Sequence, residues 1–114
     1  MNIYRTILWP LFIFLAGVHV SAFASDTSAV WIDVRTPAEY ASGHINGAIN
    51  IEFQEIGNRI MQVTEDKTTD IRLYCRSGRR SGVARETLLK LGYGNVRNEG
   101  GYAAALAAHK KAEP

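Results

Sequence analysis

The stretch Leu73 to Ser81 reads Leu-Tyr-Cys-Arg-Ser-Gly-Arg-Arg-Ser and holds the only cysteine of the 114-residue chain. Before it, Ile71 to Tyr74 alternates apolar and polar side chains and is rich in β-branched and aromatic residues, which predicts a strand. From Ser81 to Leu91 apolar residues recur at spacings of three and four, and a glycine follows, which predicts an amphipathic helix. The cysteine therefore stands between a strand and a helix.

This position favours a reactive sulfur at Cys75. The N-terminal end of a helix offers unpaired N–H groups and the positive end of the macrodipole, and both stabilise an anion. Arg76, Arg79 and Arg80 add three positive charges nearby, and such surroundings lower a cysteine pKa from ~8.5 into the range ~3.5 to 7.5. We therefore predict a thiolate that meets an anionic substrate, rather than a cysteine that only fills the core.

Three segments resemble one known family. The loop Cys75 to Arg80, with Ser81 opening the helix, resembles the six-residue active-site loop of the rhodanese family of sulfurtransferases. The segment from Asp33 to Ile51 is similar to the N-terminal signature of rhodanese domains. The segment Asn98-Glu99-Gly100-Gly101-Tyr102 is similar to the Gly-Gly-aromatic segment near the family's cysteine loop, with tyrosine where members commonly carry tryptophan. The likeness covers about Trp31 to Tyr102 and is greatest to the single-domain exported type.

The order of elements predicts an α/β fold, a rhodanese-like domain with a small, mostly parallel sheet and helices on both faces. The predicted strands are 30–34, 48–51, 71–74 and a short one near Val96. The predicted helices are 36–40, 52–63, 81–91 and 102–111. Thr36 and Glu39 have the spacing of a capping box at the start of the first helix.

The resemblance implies a thiosulfate sulfurtransferase in which the Cys75 thiolate takes the outer sulfur of thiosulfate as a persulfide. The persulfide then passes to cyanide or to a thiol. The partners are thus a small anionic sulfur donor and a thiophilic acceptor, with no cofactor and no metal. The residues expected to bind the substrate are Arg76, Ser77, Gly78, Arg79, Arg80 and Ser81. Arg76 matches thiosulfate-preferring loops, whereas Ser77 matches mercaptopyruvate-preferring ones.

Three charged residues at the end of the first strand and just after it are interpreted as structural. Asp33, Arg35 and Glu39 are expected to pair with one another and to hold the end of that strand. His44 is likewise expected to form structural hydrogen bonds, because no second metal ligand stands at suitable spacing.

Two other functions use the same residue types. Cysteine phosphatases and arsenate reductases also hold a thiolate in an anion-binding loop, but their common signature places an arginine six residues after the cysteine. Here that position is Ser81, and Arg80 lies one residue too early. A non-catalytic persulfide carrier would also keep Cys75 and would turn over slowly.

The first 24 residues differ from the rest. Arg5 is followed by an apolar run from Thr6 to Gly17 and by Ala22-Phe23-Ala24, the pattern of a secretory signal peptide. We expect residues 1–24 to be a signal peptide and residues 25–114 a single domain, exported to the periplasm. An uncleaved anchor is the alternative, since ~20 residues span a bilayer.

The charge is small in total and concentrated locally. The formal charge of the whole chain is +2, which gives no reason to expect binding to nucleic acid or stable association with a membrane. The basic residues cluster between Arg72 and Arg85. The sequence leaves the oligomeric state and the physiological acceptor open.

Overall fold

The structure, a computed structural model, describes residues 28–113. Its strands are β1 (Val30–Asp33), β2 (Ile49–Asn50), β3 (Ile71–Cys75) and β4 (Val96–Gly101). Its helices are α1 (Pro37–Ala41), α2 (Ile56–Val63, after a 3-10 turn at Phe53–Glu55), α3 (Arg79–Lys90) and α4 (Tyr102–Ala112). The predicted signal peptide lies outside the described residues.

The four strands form one sheet in the order β2-β1-β3-β4, and every neighbouring pair is parallel. Parallel neighbours need crossover connections, which the helices supply. All four strands therefore end at the same edge of the sheet, where ligands bind in open α/β sheets. The predicted α/β fold is confirmed.

Side chains of the central strands alternate between two cores, one on each face of the sheet. Ile32 and Leu73 pack with Ile56 and Leu88 on the face covered by α2 and α3. Trp31 and Tyr74, their chain neighbours, instead join the core on the α4 face. Because Cys75 belongs to the first core, its sulfur lies on the α3 side of the sheet.

The first residues of helices α1 and α3 position groups that lie at or near the cysteine loop. Helix α1 begins with the predicted capping box, in which the Thr36 side chain accepts from the Glu39 N–H and Glu39 accepts from the Thr36 N–H. Helix α3 begins at Arg79, two residues earlier than the apolar spacing indicated. Its N-cap is Gly78, whose φ of 97° lies in the left-handed region that glycine adopts without strain. This glycine turns the chain directly into the helix.

Within residues 28–113, every helix is too short or too polar to cross a membrane.

Candidate active site

Cys75 is the last residue of β3, and its side chain is fully buried beneath the loop that leads into α3. The Gly78 N–H donates to the Cys75 sulfur at 2.9 Å. The hydroxyl of Ser81, in the first turn of α3, lies 3.5 Å from the same sulfur. The sulfur is thus buried like a core residue but faces hydrogen-bond donors on its loop side.

These donors change the acidity of the thiol. Burial raises the pKa of Cys75, but hydrogen bonds from the Ser81 hydroxyl and from the N–H groups of Ser81, Ser77 and Gly78 together outweigh it. The net pKa lies below the ordinary value of a cysteine thiol. Because the thiolate is the nucleophilic form, this environment activates the sulfur for attack.

The end of β4 packs directly against the backbone of the cysteine loop. A Cβ atom on Gly101 would lie 2.6 Å from the carbonyl oxygen of Arg76, a backbone atom that has little room to move. A Cβ on Gly78 would meet the backbone of Gly100 at 3.4 Å. The register between β3 and β4 also shifts here, so that Leu73 pairs with Asn98 but Cys75 pairs with Gly101. The two glycines therefore let β4 press directly against the loop backbone.

Arg80 is held by a carboxylate from a distant part of the chain. Its guanidinium donates to both oxygens of Glu39, at 2.8 and 3.1 Å. These bonds from Arg80, together with those from Thr36, lower the pKa of Glu39 to about 2. The prediction that Glu39 pairs with Asp33 or Arg35 is therefore wrong. The capping box turns the Glu39 carboxylate toward the start of α3, and Arg35 is occupied elsewhere.

Asp33 and Arg35 pair with each other, both buried, at 2.6 Å. The second hydrogen bond of the Arg35 terminal nitrogen goes to the Gly43 carbonyl at 2.6 Å. The guanidinium also lies 4.8 Å from the ring centroid of Tyr102. These contacts fix the carboxyl end of β1 beside the start of α4.

Arg76 and Arg79 are exposed, on the outer side of the loop. The main causes of the lowered pKa of Cys75 are hydrogen bonds, and neither of these two arginines is among them. Ser77 is exposed as well. The six loop residues predicted to bind substrate are thus brought together around the sulfur, but only some of them face it.

Asn98 is a site residue that the sequence reasoning did not single out. Its Nδ2 donates to the Gly78 carbonyl at 2.9 Å, and its Oδ1 accepts from the Ser81 hydroxyl at 2.7 Å. The only signal in the sequence was its place two residues before the Gly-Gly pair. Among residues 28–113 no group of three or more histidine, cysteine or acidic side chains is placed to hold a metal ion. The hydrogen bonds to Cys75 and its lowered pKa make the chemistry of this arrangement that of an activated thiol.

The chain is similar to known proteins of one family. The model of the rhodanese-like domain family matches residues 19–108. The thiosulfate sulfurtransferase PspE of Escherichia coli K12 is 46% identical over 71 residues, which cover 62% of this chain and 68% of that protein. A sulfurtransferase of Allochromatium vinosum is 38% identical over 86 residues, or 75% of this chain and 78% of that one.

A solved structure described as a rhodanese with anions from E. coli superposes with a TM-score of 0.66 at 43% identity. The match covers 68% of this chain and 91% of that one. The chain belongs to the rhodanese-like domain family. Its membership and its relatives support a sulfurtransferase activity.

Proposed function

We propose that this protein is a thiosulfate sulfurtransferase that carries sulfur as a persulfide on Cys75. The observation that carries the proposal is the 2.9 Å hydrogen bond from the Gly78 N–H to a sulfur whose pKa is lowered. A relative at 46% identity that is named for this activity supports the choice of donor.

The reaction runs in two displacements. The Cys75 thiolate attacks the outer sulfur of thiosulfate, the S–S bond of thiosulfate breaks, and sulfite leaves with the electron pair. The product on the protein is a persulfide anion, which the loop N–H groups stabilise as they stabilise the thiolate. Cyanide or a thiolate then attacks the terminal sulfur, and the Cys75 thiolate leaves unchanged. Neither step requires a general base when the thiol is already ionised.

Two features favour this reaction over phosphate or arsenate chemistry. The position six residues after Cys75, where a cysteine phosphatase has its arginine, is occupied by the buried Ser81. The arginine one residue earlier donates two hydrogen bonds to Glu39, so its guanidinium is already paired. A tetrahedral oxyanion would therefore lack the bidentate partner that such enzymes use.

The test is to incubate the purified protein with thiosulfate alone and to measure its intact mass. We expect the mass to rise by one sulfur atom on Cys75, and cyanide to remove it with release of thiocyanate. Cys75→Ser is the matched control and should gain nothing. An unchanged wild-type mass with both thiosulfate and mercaptopyruvate would contradict the proposal. Loading followed by very slow release to cyanide would instead identify a carrier.

We also propose that the reaction takes place outside the cytoplasm, in the periplasm. The support is the order of charge, apolar run and small residues in Met1 to Ala24. The mass of protein recovered from the exported fraction should correspond to a chain that begins at or near Ser25. Recovery of residues 1–24 on protein in the membrane fraction would contradict this.

A further inference from the structure

The Ser81 hydroxyl has three competing acceptors near the sulfur site. It lies 2.7 Å from Oδ1 of Asn98, 3.2 Å from the Gly78 carbonyl oxygen and 3.5 Å from the sulfur of Cys75. A serine hydroxyl carries one proton and donates one hydrogen bond at a time. The acceptor that takes the proton withholds it from the other two.

The orientation of the Asn98 carboxamide is fixed by two backbone partners. Its Nδ2 faces the Gly78 carbonyl at 2.9 Å, and its Oδ1 accepts from the Gly100 N–H at 2.9 Å. A flipped amide would place oxygen against oxygen and nitrogen against an N–H. Oδ1 must therefore face Ser81, and the short 2.7 Å contact is one in which the serine donates.

We propose that Asn98 is a positioning residue for the cysteine site, because its carboxamide competes with the Cys75 sulfur for the Ser81 hydroxyl proton and donates to the Gly78 carbonyl. The hydroxyl then gives the sulfur only part of the stabilisation that an undivided hydrogen bond would give. This deepens the proposed function, since it assigns the control of sulfur reactivity to a residue on β4, outside the loop.

The arrangement has a chemical consequence for the thiolate. A hydrogen bond from a hydroxyl would stabilise the thiolate further and would lower its intrinsic nucleophilicity, which falls with pKa at a Brønsted slope of about 0.4 to 0.5. Holding the proton on Asn98 keeps the sulfur ionisable but reactive. Asn98 is itself exposed, so its replacement leaves the two cores intact.

The test measures alkylation of Cys75 by iodoacetamide against pH. Cys75 is the only cysteine of the chain, so the rate reports on this thiol alone, and the experiment needs no sulfurtransferase activity. In the wild-type background, Ser81→Ala should raise the midpoint by only about 0.3 pH units, because Asn98 competes with the sulfur for the serine proton.

In the Asn98→Leu background the hydroxyl has lost its nearest acceptor. Of the two that remain, the thiolate is charged and therefore attracts the proton more strongly than the neutral Gly78 carbonyl. There, Ser81→Ala should raise the midpoint by about one pH unit, the equivalent of one hydrogen bond to a charged group. At a pH where the thiol is fully ionised, Asn98→Leu alone should alkylate about threefold more slowly than wild type. A role confined to loop stability would give the same serine effect in both backgrounds.

Asn98→Asp is the conservative variant. It keeps an oxygen for Ser81, so Ser81→Ala should again have little effect in this background, whatever the midpoint of the Asn98→Asp protein itself. Asn95→Leu, just before β4 at another exposed position, is the matched control and should behave as wild type.

Equal effects of Ser81→Ala in the wild-type and Asn98→Leu backgrounds, whether zero or one unit, would overturn the proposal. Thermal melts of each variant show that folded protein is compared. If thiosulfate fails to load Cys75, the proposed function falls, but the alkylation series still decides the role of Asn98.

Discussion

The inner and the outer side of the cysteine loop have different chemistry. On the inner side, Gly78, Ser81 and Gly101 bring backbone and a hydroxyl against the sulfur or against the loop itself. On the outer side, Arg76 and Arg79 are exposed to solvent. The comparison teaches that close packing and hydrogen bonds set the reactivity of the sulfur, whereas the two exposed guanidinium groups are not among the causes of its lowered pKa. We propose that these two groups bind the incoming anion.

A substitution at Gly101 should disturb the inner side of the loop most. In Gly101→Ala the new methyl group meets the Arg76 carbonyl at 2.6 Å, so the loop must shift away from β4. Because displacements of about 1 Å can cost roughly 100-fold in rate, we expect sulfur transfer from thiosulfate to cyanide to fall by about that factor.

The matched control for this change is Gly94→Ala, where a Cβ atom would meet nothing within 4 Å. It should keep its activity and change the free energy of unfolding by less than about 0.5 kcal/mol. Wild-type activity in Gly101→Ala would mean that the loop does not depend on close contact with β4.

Glu39 lies between the two sides of the loop, because its carboxylate accepts two hydrogen bonds from Arg80 at the edge of the loop. Glu39→Gln should lower the free energy of unfolding by about 1 kcal/mol, the combined order of a capping bond and a partly exposed ion pair. Urea denaturation at pH 7 measures this. Glu86→Gln is the control, since the Glu86 carboxylate is 66% exposed and lies 3.8 Å from Arg85, and it should change stability by less than about 0.5 kcal/mol.

The same pair gives a pH dependence with a definite sign. The pKa of Glu39 is lowered to about 2 by Arg80 and Thr36, so its contribution is complete above its ordinary pKa and is lost as the pH falls through the lowered value. The stability difference between wild type and Glu39→Gln should therefore shrink between about pH 5 and pH 2. A difference that stays constant over this range would contradict the pairing.

Substitutions on the outer side of the loop should have the smallest effects on activity. Arg76→Ala and Arg79→Ala each remove an exposed cation, and we expect the KM for thiosulfate to rise about threefold in each, in line with the strength of exposed charge interactions. The midpoint of Cys75 alkylation should move by less than about 0.3 pH units. Arg59→Ala, which removes the same charge from an exposed position on α2, should change neither quantity. A large shift of the midpoint in the loop variants would place these arginines on the inner side.

The parts of the molecule that the sequence predicted are those that depend on neighbours in the chain. The order of strands and helices, the capping box at Thr36 and the position of Cys75 at a strand end follow from local spacing. Apolar spacing predicts the start of α3 two residues too late, because Arg79 and Arg80 are polar and add nothing to the apolar pattern. Gly78, the N-cap, is the sequence signal for the true start.

Contacts between segments that are distant in the sequence could not be predicted from local spacing. The pairing of Glu39 with Arg80 depends on where α1 lies relative to α3. The role of Asn98 depends on the bulge that brings β4 behind the loop. Charge alone indicates that the three arginines act together. Among the described residues, however, only Arg80 of these three pairs with a carboxylate. The orientation of its side chain depends on how α1 packs against α3, which the spacing of residues in the sequence does not predict.

The all-parallel sheet also has a consequence for how the protein reaches its native state. β1 pairs with β3, so Val30 cannot form its strand contacts until Ile71 is present. The cysteine loop likewise lacks its support until Gly101 of β4 is in place. A parallel sheet built only from such non-local pairings folds slowly compared with local helices and hairpins. The sulfur site can therefore be complete only after Gly101 has been synthesised and β4 has paired with β3.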